Sequence, residues 1–231
     1  MKKFITYISF IFILVITFGL GSFFSWELRK DKLKQKRVVL HPMDKRFIEE
    51  EEVMSLIKLQ DSEMGKVSIE SIEKKLEKNP YISKAEVYKD LNNNLYADIE
   101  QYKPIARIIG TESYYIDING EKCPLSKHYT ENAILVFGNF NKKQLNEVYK
   151  LVKHIKKDPL LNEIITEIHF KNTKYILRTK DLKADVIFGK TENFSMKLDK
   201  LKAMYMYLTH HKLNKKYHQI NLEYNKQVVC N

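Results

Sequence analysis

The sequence predicts an α+β protein in three parts: an N-terminal transmembrane helix, a small α/β unit, and an antiparallel β-sheet domain with two or more helices. Three observations predict this class. An uncharged apolar run extends from Phe4 to Phe24. A segment with helical periodicity is then followed by two segments of alternating polarity. Beyond Pro104, short β-rich segments and turn residues surround two amphipathic segments.

Residues 4–24 form the predicted membrane-spanning helix. At about 1.5 Å per residue the run is about 30 Å long, which matches the hydrocarbon core of a bilayer. Residues 1–3 form a short tail, and Phe4 and Phe24 bound the anchor. Trp26 follows at the depth where amphipathic aromatic rings prefer to lie. Residues 25–37, "SWELRKDKLKQKR", form a basic juxtamembrane linker.

The residues alone do not decide two properties of this segment: whether it is cleaved and which side of the membrane the C-terminal part occupies. Small residues at Gly19 and Gly21 are compatible with cleavage by a signal peptidase, although the long apolar run favours a retained anchor. Two lysines precede the run and six Lys or Arg residues follow it. This asymmetry favours a cytoplasmic C-terminal part, but long domains translocate largely regardless of charge.

Residues 38–104 form the predicted α/β unit. "VVLHP" is a strand, and the acidic run "IEEEEV" starts a helix. Ser68 caps a second helix, which ends before Pro80. "SKAEVYKDL" and "LYADIEQY" alternate on either side of three asparagines, which predicts a hairpin.

Residues 105–231 form the predicted sheet domain. Its helices are "NKKQLNEVYKLVKHIKK", capped by Asn141, and "TENFSMKLDKLKAMYMYLTHH". The last predicted strand lies in "YHQINLEYNKQVVC", where apolar and polar residues alternate. Pro104 has no N–H for a sheet ladder, so it is predicted to mark the junction before this domain. Arg107 is predicted to hold the angle between the two domains at that junction, through a salt bridge or a stacking contact.

No catalytic residue, metal ligand or cofactor site is predicted. The chain has no GxSxG, HExxH, GxGxxG or Walker A motif, so the sequence predicts no enzyme, cofactor or small-molecule substrate. The net charge of +11 is compatible with nucleic acid, anionic lipid or an acidic partner. Because the lysines are spread along the chain without interleaved aromatics, we expect no nucleic-acid binding. Cys123 and Cys230 are either separate thiols or a pair in an oxidising compartment.

Several motifs occur in the order found in one family. "NPYISKAEVYKD" resembles the helix end and strand of a POTRA unit, and "LYADIEQYKPIARI" resembles L-x-V-x-I-x-Q-R-x-P-I-A-R-I. "YYIDINGEKCPLS" resembles Y-Y-I-D-x-x-G-x-x-M-P-L-S, with Cys123 where methionine is common. "YNKQVVC" resembles the end Y-K-G-Q-V-V-C. From Val38 onward the chain therefore resembles the FtsQ/DivIB bacterial cell-division proteins.

This resemblance implies a non-enzymatic, bitopic scaffold of the divisome in the inner membrane at the septum. Its N-terminus would be cytoplasmic and its bulk periplasmic, in conflict with the charge count. It would bind FtsB/FtsL-type coiled-coil partners and link them to septal peptidoglycan synthesis. In the family a partner segment is thought to add a strand to the sheet edge near the C-terminus. By position, the candidate contacts are Tyr217, Ile220, Leu222 and Tyr224.

The alternative is a POTRA-bearing component of outer-membrane protein transport or secretion. Such proteins usually carry repeated POTRA units and a β-barrel. The single unit and the N-terminal apolar run favour the division scaffold.

Overall fold

The computed structural model describes residues 15–17, 38–41, 47–63, 68–91, 94–213, 216–225 and 227–231. Residues 15–17 are helical. The rest of the predicted span, with Phe4 and Phe24, and also Trp26 and the linker lie outside the described residues. In the part that is described, no helix is both long enough and apolar enough to cross a membrane.

The chain divides into two compact units. The described residues of Met1–His41 and Val87–Asp98 form one, and those of Pro42–Glu86 and Ile99–Asn231 form the other. The predicted domain boundary at Pro104 stays a prediction.

A three-stranded sheet is built from the first strands in the order β1–β3–β2. Their bounds are β1 Val38–Leu40, β2 Ile82–Lys89 and β3 Leu95–Gln101. β1 runs parallel to β3. Between β2 and β3 the Asp90 carboxylate accepts hydrogen bonds from the backbone N–H and the side-chain amide of Asn94, both at 2.8 Å. The turn is therefore closed by a side chain, as Asp and Asn commonly do.

Two helices lie between β1 and β2: α1, Glu50–Glu63, and α2, Ile69–Leu76. Three glutamates occupy the first turn of α1, where carboxylates stabilise the positive end of the helix dipole. Ser68 caps α2, and its hydroxyl oxygen accepts the Ser71 N–H at 3.2 Å. The predicted cap is thus confirmed.

The C-terminal sheet has nine strands in the order β12-β11-β10-β9-β8-β7-β4-β5-β6. Their bounds are β4 Pro104–Ile109, β5 Ser113–Asp117, β6 Lys122–Pro124, β7 Ile134–Phe137, β8 Ile165–Lys171, β9 Lys174–Thr179, β10 Asp185–Gly189, β11 Gln219–Asn221 and β12 Val229–Cys230. The prediction of an antiparallel sheet is wrong, because β4–β7, β7–β8 and β10–β11 are parallel pairs.

The helices explain two of these parallel pairs, β7–β8 and β10–β11, whereas β4 and β7 are connected through β5 and β6. α3, Lys142–Lys157, and α4, Pro159–Ile164, lie between β7 and β8, and α5, Phe194–His210, lies between β10 and β11. A crossover connection lets the next strand run in the same direction as the last, which a short hairpin cannot do. The strand–helix–strand order in the sequence already carried this signal.

One face of the sheet and the three helices enclose the main core. The register aligns buried residues from six strands, one in each: Ile108, Val136, Ile168, Leu177, Val186 and Ile220. They pack with the buried stripes of α3 and α5. The predicted Asn141 cap is confirmed as a capping box, in which Asn141 and Gln144 exchange hydrogen bonds of 2.9 and 3.0 Å.

Candidate partner-binding site

The last two strands of the chain form one end of the large sheet. β12 pairs antiparallel with β11, so that Cys230 lies opposite Ile220. The Asn231 N–H donates to the Gln219 carbonyl at 3.0 Å, and the Gln219 N–H donates back at 3.2 Å. β11 also pairs with β10 on its other side. Among the described strands, β12 is therefore the outermost at this end.

The prediction that Tyr217–Tyr224 forms the sheet edge is wrong, because the chain reverses after Tyr224 and covers β11 with one more strand. Ile220 and Leu222 are both 0% exposed, so their side chains belong to the core. Tyr217 is half-buried, and Tyr224 is 50% exposed. Of these four residues, Tyr224 offers the most surface. Their role in partner binding stays a prediction.

The sequence patterns did not predict that residues 228–230 form the edge strand of the sheet. The signal for them was the pair of valines in "QVVC", because β-branched residues favour strands. In an antiparallel pair, backbone groups alternate between facing the neighbouring strand and facing away. The backbone groups of Asn231 face β11. By this alternation, the N–H and C=O groups of Val228 and Cys230 point away from β11. These groups can pair with an added strand.

The side chains of β12 hold the strand against the domain. Val228 and Cys230 pack on the main core as partly buried apolar groups. Burial raises the pKa of the Cys230 thiol, so the thiol stays protonated at neutral pH. Val229 lies opposite Asn221, on the other face. The strand is thus anchored through its side chains, and no described strand covers its outer backbone edge.

Close packing positions the segment that follows β11. Gly189 has φ +74°, and a Cβ at this position would lie 2.6 Å from the Glu223 Cγ. Glu223 is held by an ion pair with Lys174 at 3.0 Å. The Lys200 ammonium on α5 donates to the carbonyl of Tyr224. Glycine at this position lets the Glu223 side chain lie this close and tolerates the positive φ.

A face of α5 adjoins this segment. Met196, Lys200, Ala203 and Tyr207 recur at helical spacing, and Lys200 reaches the Tyr224 carbonyl. Met196 is 47% exposed and Tyr207 is 54% exposed. Large apolar side chains on an exposed helix face are typical of an interaction surface.

The two cysteines lie at opposite edges of the nine-stranded sheet, Cys123 on β6 and Cys230 on β12. Eight strand spacings of about 4.8 Å separate these edges by about 38 Å. A disulfide needs Cα atoms within about 7 Å, so the two thiols do not pair within one chain. Cys123 is completely buried, and burial raises the pKa of its thiol to about 11.

The two predicted junction residues lie on an interior strand. Pro104 is buried and is the first residue of β4, opposite Asp117. Arg107 lies between Tyr115 on β5 and Leu135 on β7. Its Nε is buried and has no hydrogen-bond partner among the described residues. Its assignment to the junction stays a prediction.

Comparison with known proteins identifies the family of this fold. Residues 37–100 match the model of a POTRA-like domain, and residues 103–231 match the model "FtsQ/DivIB, C-terminal related". The second match covers more than half of the chain. The chain belongs to the FtsQ/DivIB family. The sequence resemblance is thereby confirmed, and the fold is a POTRA-like unit followed by a β-sheet domain.

The chain is similar to individual cell-division proteins. The chain is 29% identical over 173 residues to the cell division protein FtsQ of Geotalea daltonii, and the match covers 68% of the chain and 62% of that relative. A solved structure, the major extracytoplasmic domain of the trans isomer of DivIB from Geobacillus stearothermophilus, is 17% identical with a TM-score of 0.35. It covers 48% of the chain and 97% of the DivIB domain. Both of these proteins are named as cell-division proteins.

Proposed function

We propose that this chain is a non-enzymatic, bitopic scaffold of the bacterial divisome. It binds FtsB/FtsL-type coiled-coil proteins and links them to septal peptidoglycan synthesis. Membership of the FtsQ/DivIB family supports this function over the transport alternative. The apolar run 4–24 supports anchoring in the inner membrane. The proposed orientation, with the N-terminus in the cytoplasm and the bulk of the chain in the periplasm, is what membership of the family implies, against the count of flanking charges.

The open edge of β12 carries the binding part of the proposal. A partner segment that adds a strand here pairs with the outward backbone groups of Val228 and Cys230. Each backbone hydrogen bond contributes about 0.5–1.5 kcal/mol net. The exposed side chains of Met196 and Tyr207 on α5 add apolar area for a partner larger than one strand.

Two experiments test the proposal. Depletion of the protein is expected to give filamentous or chained cells, and normal septation after complete depletion would contradict the division function. The docking edge is tested by a photo-reactive residue in place of Val229, which is expected to crosslink to an FtsB/FtsL-type protein. The matched control is the same residue in place of Lys183, which is exposed on the loop before β10. Equal crosslinking from both positions would contradict docking at β12.

A further inference from the structure

A cleft of about 940 Å³ lies between the β5–β6 turn and the start of α3. Its volume is within the range of about 300–1,000 Å³ that is typical of ligand clefts. The turn contributes Asn119, Gly120 and Lys122. The remaining lining comes from the loop before α3 and from its first turns: Phe140, Lys142, Lys143, Leu145, Asn146 and Tyr149.

The walls of this cleft are built by specific contacts. Gly120 has φ +88°, and a Cβ there would lie 3.4 Å from the Tyr149 ring, so the turn rests directly on that ring. The Tyr149 hydroxyl donates to the Ile118 carbonyl at 3.0 Å and accepts from the Lys153 ammonium at 2.6 Å. The aromatic wall therefore has a fixed orientation.

The cleft is positively charged. Lys122, Lys142 and Lys143 all line it, and in the part of the chain that the structure describes none of them has a carboxylate partner. The Lys122 ammonium lies 4.4 Å from the centre of the Tyr114 ring. No acidic side chain is among the residues that line the cleft.

The nearest carboxylates in sequence are directed elsewhere. Asp117 accepts the N–H groups of Asn119 and Glu121 at 2.9 and 2.7 Å. Glu121 faces the Tyr102 hydroxyl, whose pKa is raised by burial and also by this carboxylate. The Glu147 carboxylate, on the second turn of α3, accepts a hydrogen bond from the Tyr175 hydroxyl on β9 at 3.5 Å. The positive charge of the cleft is therefore not neutralised by its surroundings.

We infer that this cleft binds an acidic peptide segment of a partner protein, at a site separate from the β12 edge. The three ammonium groups match carboxylates of the peptide. The side-chain amides of Asn119 and Asn146 can pair with its backbone, and the rings of Phe140 and Tyr149 can cover an apolar side chain. A compact phosphate would use the charge and leave both rings uncovered, which favours a peptide over a phosphate group.

A second cavity extends the site. It has a volume of about 260 Å³ and shares Lys122 and Phe140 with the cleft. Thr111, Tyr114 and the acidic residue Glu112 also line it, so the excess of positive charge lies in the first cleft. The shared residues make the two cavities adjacent, and the second offers one more aromatic ring, that of Tyr114.

The test uses the full chain in non-ionic detergent and the double variant K142Q/K143Q. Both lysines are exposed in the first turn of α3, where cations are unfavourable near the positive helix end. Their replacement is therefore expected to leave the protein folded. The control K183Q/K190Q removes the same charge at two exposed lysines that do not line the cleft.

The probe is a fluorescein-labelled peptide of alternating Glu and Tyr, and binding is followed by fluorescence anisotropy. K142Q/K143Q is expected to weaken binding about tenfold, because each partly exposed ion pair contributes about 0.2–1 kcal/mol. K183Q/K190Q and the parent chain are expected to bind equally well. No binding to the parent chain, or equal loss in both variants, would overturn the inference.

Two competitors separate the ligand classes. Inorganic phosphate and phosphatidylglycerol vesicles are each added to the peptide complex, and a matching Gln/Tyr peptide serves as the uncharged probe. Weak competition by both anions and at least tenfold weaker binding of the Gln/Tyr peptide would support an acidic peptide ligand. Displacement of the Glu/Tyr peptide by phosphate or by vesicles at a concentration lower than that of the peptide would overturn the inference. Because the β12 edge is not altered, partner crosslinking from Val229 is expected to be unchanged in both lysine variants.

Discussion

The substitution Cys230→Pro is expected to weaken partner capture without unfolding the domain. Proline removes the N–H of residue 230, which points away from β11, while the two bonds between Asn231 and Gln219 are untouched. A partner carbonyl left unpaired in the interface costs about 1–3 kcal/mol. The dissociation constant for an FtsB/FtsL-type partner is therefore expected to rise about 5- to 150-fold.

Binding is measured with the full chain in detergent, by biolayer interferometry against the partner. Cys230→Ala is the matched control, because it removes the thiol and keeps the N–H. Proline is tolerated on edge strands where its nitrogen faces outward, so both variants should show cooperative thermal unfolding. Equal affinities of folded Cys230→Pro and Cys230→Ala would refute docking by strand addition at β12. Leu222→Pro is unsuitable for this purpose, because the Leu222 N–H donates to the Ile187 carbonyl at 3.0 Å inside the sheet.

Three further predictions concern stability and reactivity. Gly189→Ala should lower the midpoint of thermal unfolding, because a residue with a Cβ at φ +74° costs about 1–2 kcal/mol; an unchanged midpoint would contradict this. The Lys202 ammonium and backbone N–H groups lower the pKa of Asp158, so this stabilisation is present above the unfolded pKa of about 3.9 and is lost as pH falls through the folded value. Lys202→Gln should therefore lose less stability than the parent chain between about pH 6 and pH 2, and identical losses would count against the ion pair. In the native protein Cys230 should react with maleimide before the buried Cys123, as followed by mass spectrometry; equal rates would contradict the burial of Cys123.

Local signals in the sequence predicted the helices well. Ser68 and Asn141 cap α2 and α3 as expected, because a cap needs only a side chain and the N–H groups two or three residues later. The short α4 was missed, although Asp158 followed by Pro159 is a typical start: the Asp158 carboxylate accepts the N–H groups of the next two residues after the proline.

The direction of the strands was predicted less well. The sequence showed short β segments but not which of them lie side by side, and an antiparallel sheet was the simplest arrangement. Parallel pairing of β7 with β8 and of β10 with β11 follows from the crossover helices between them. The same limit led to the wrong edge, because two valines near the C-terminus do not reveal that they cover β11.

By itself the sequence determined the family, the caps, the apolar N-terminal run and the excess of lysine, since each depends on residue types at short spacing. The tertiary structure alone decided which backbone edge is open, that the two cysteines are far apart, and that Lys122, Lys142 and Lys143 line one cleft. The physical reason is that an edge, a distance and a cleft arise from pairing between segments distant along the chain. Local propensity does not encode that pairing.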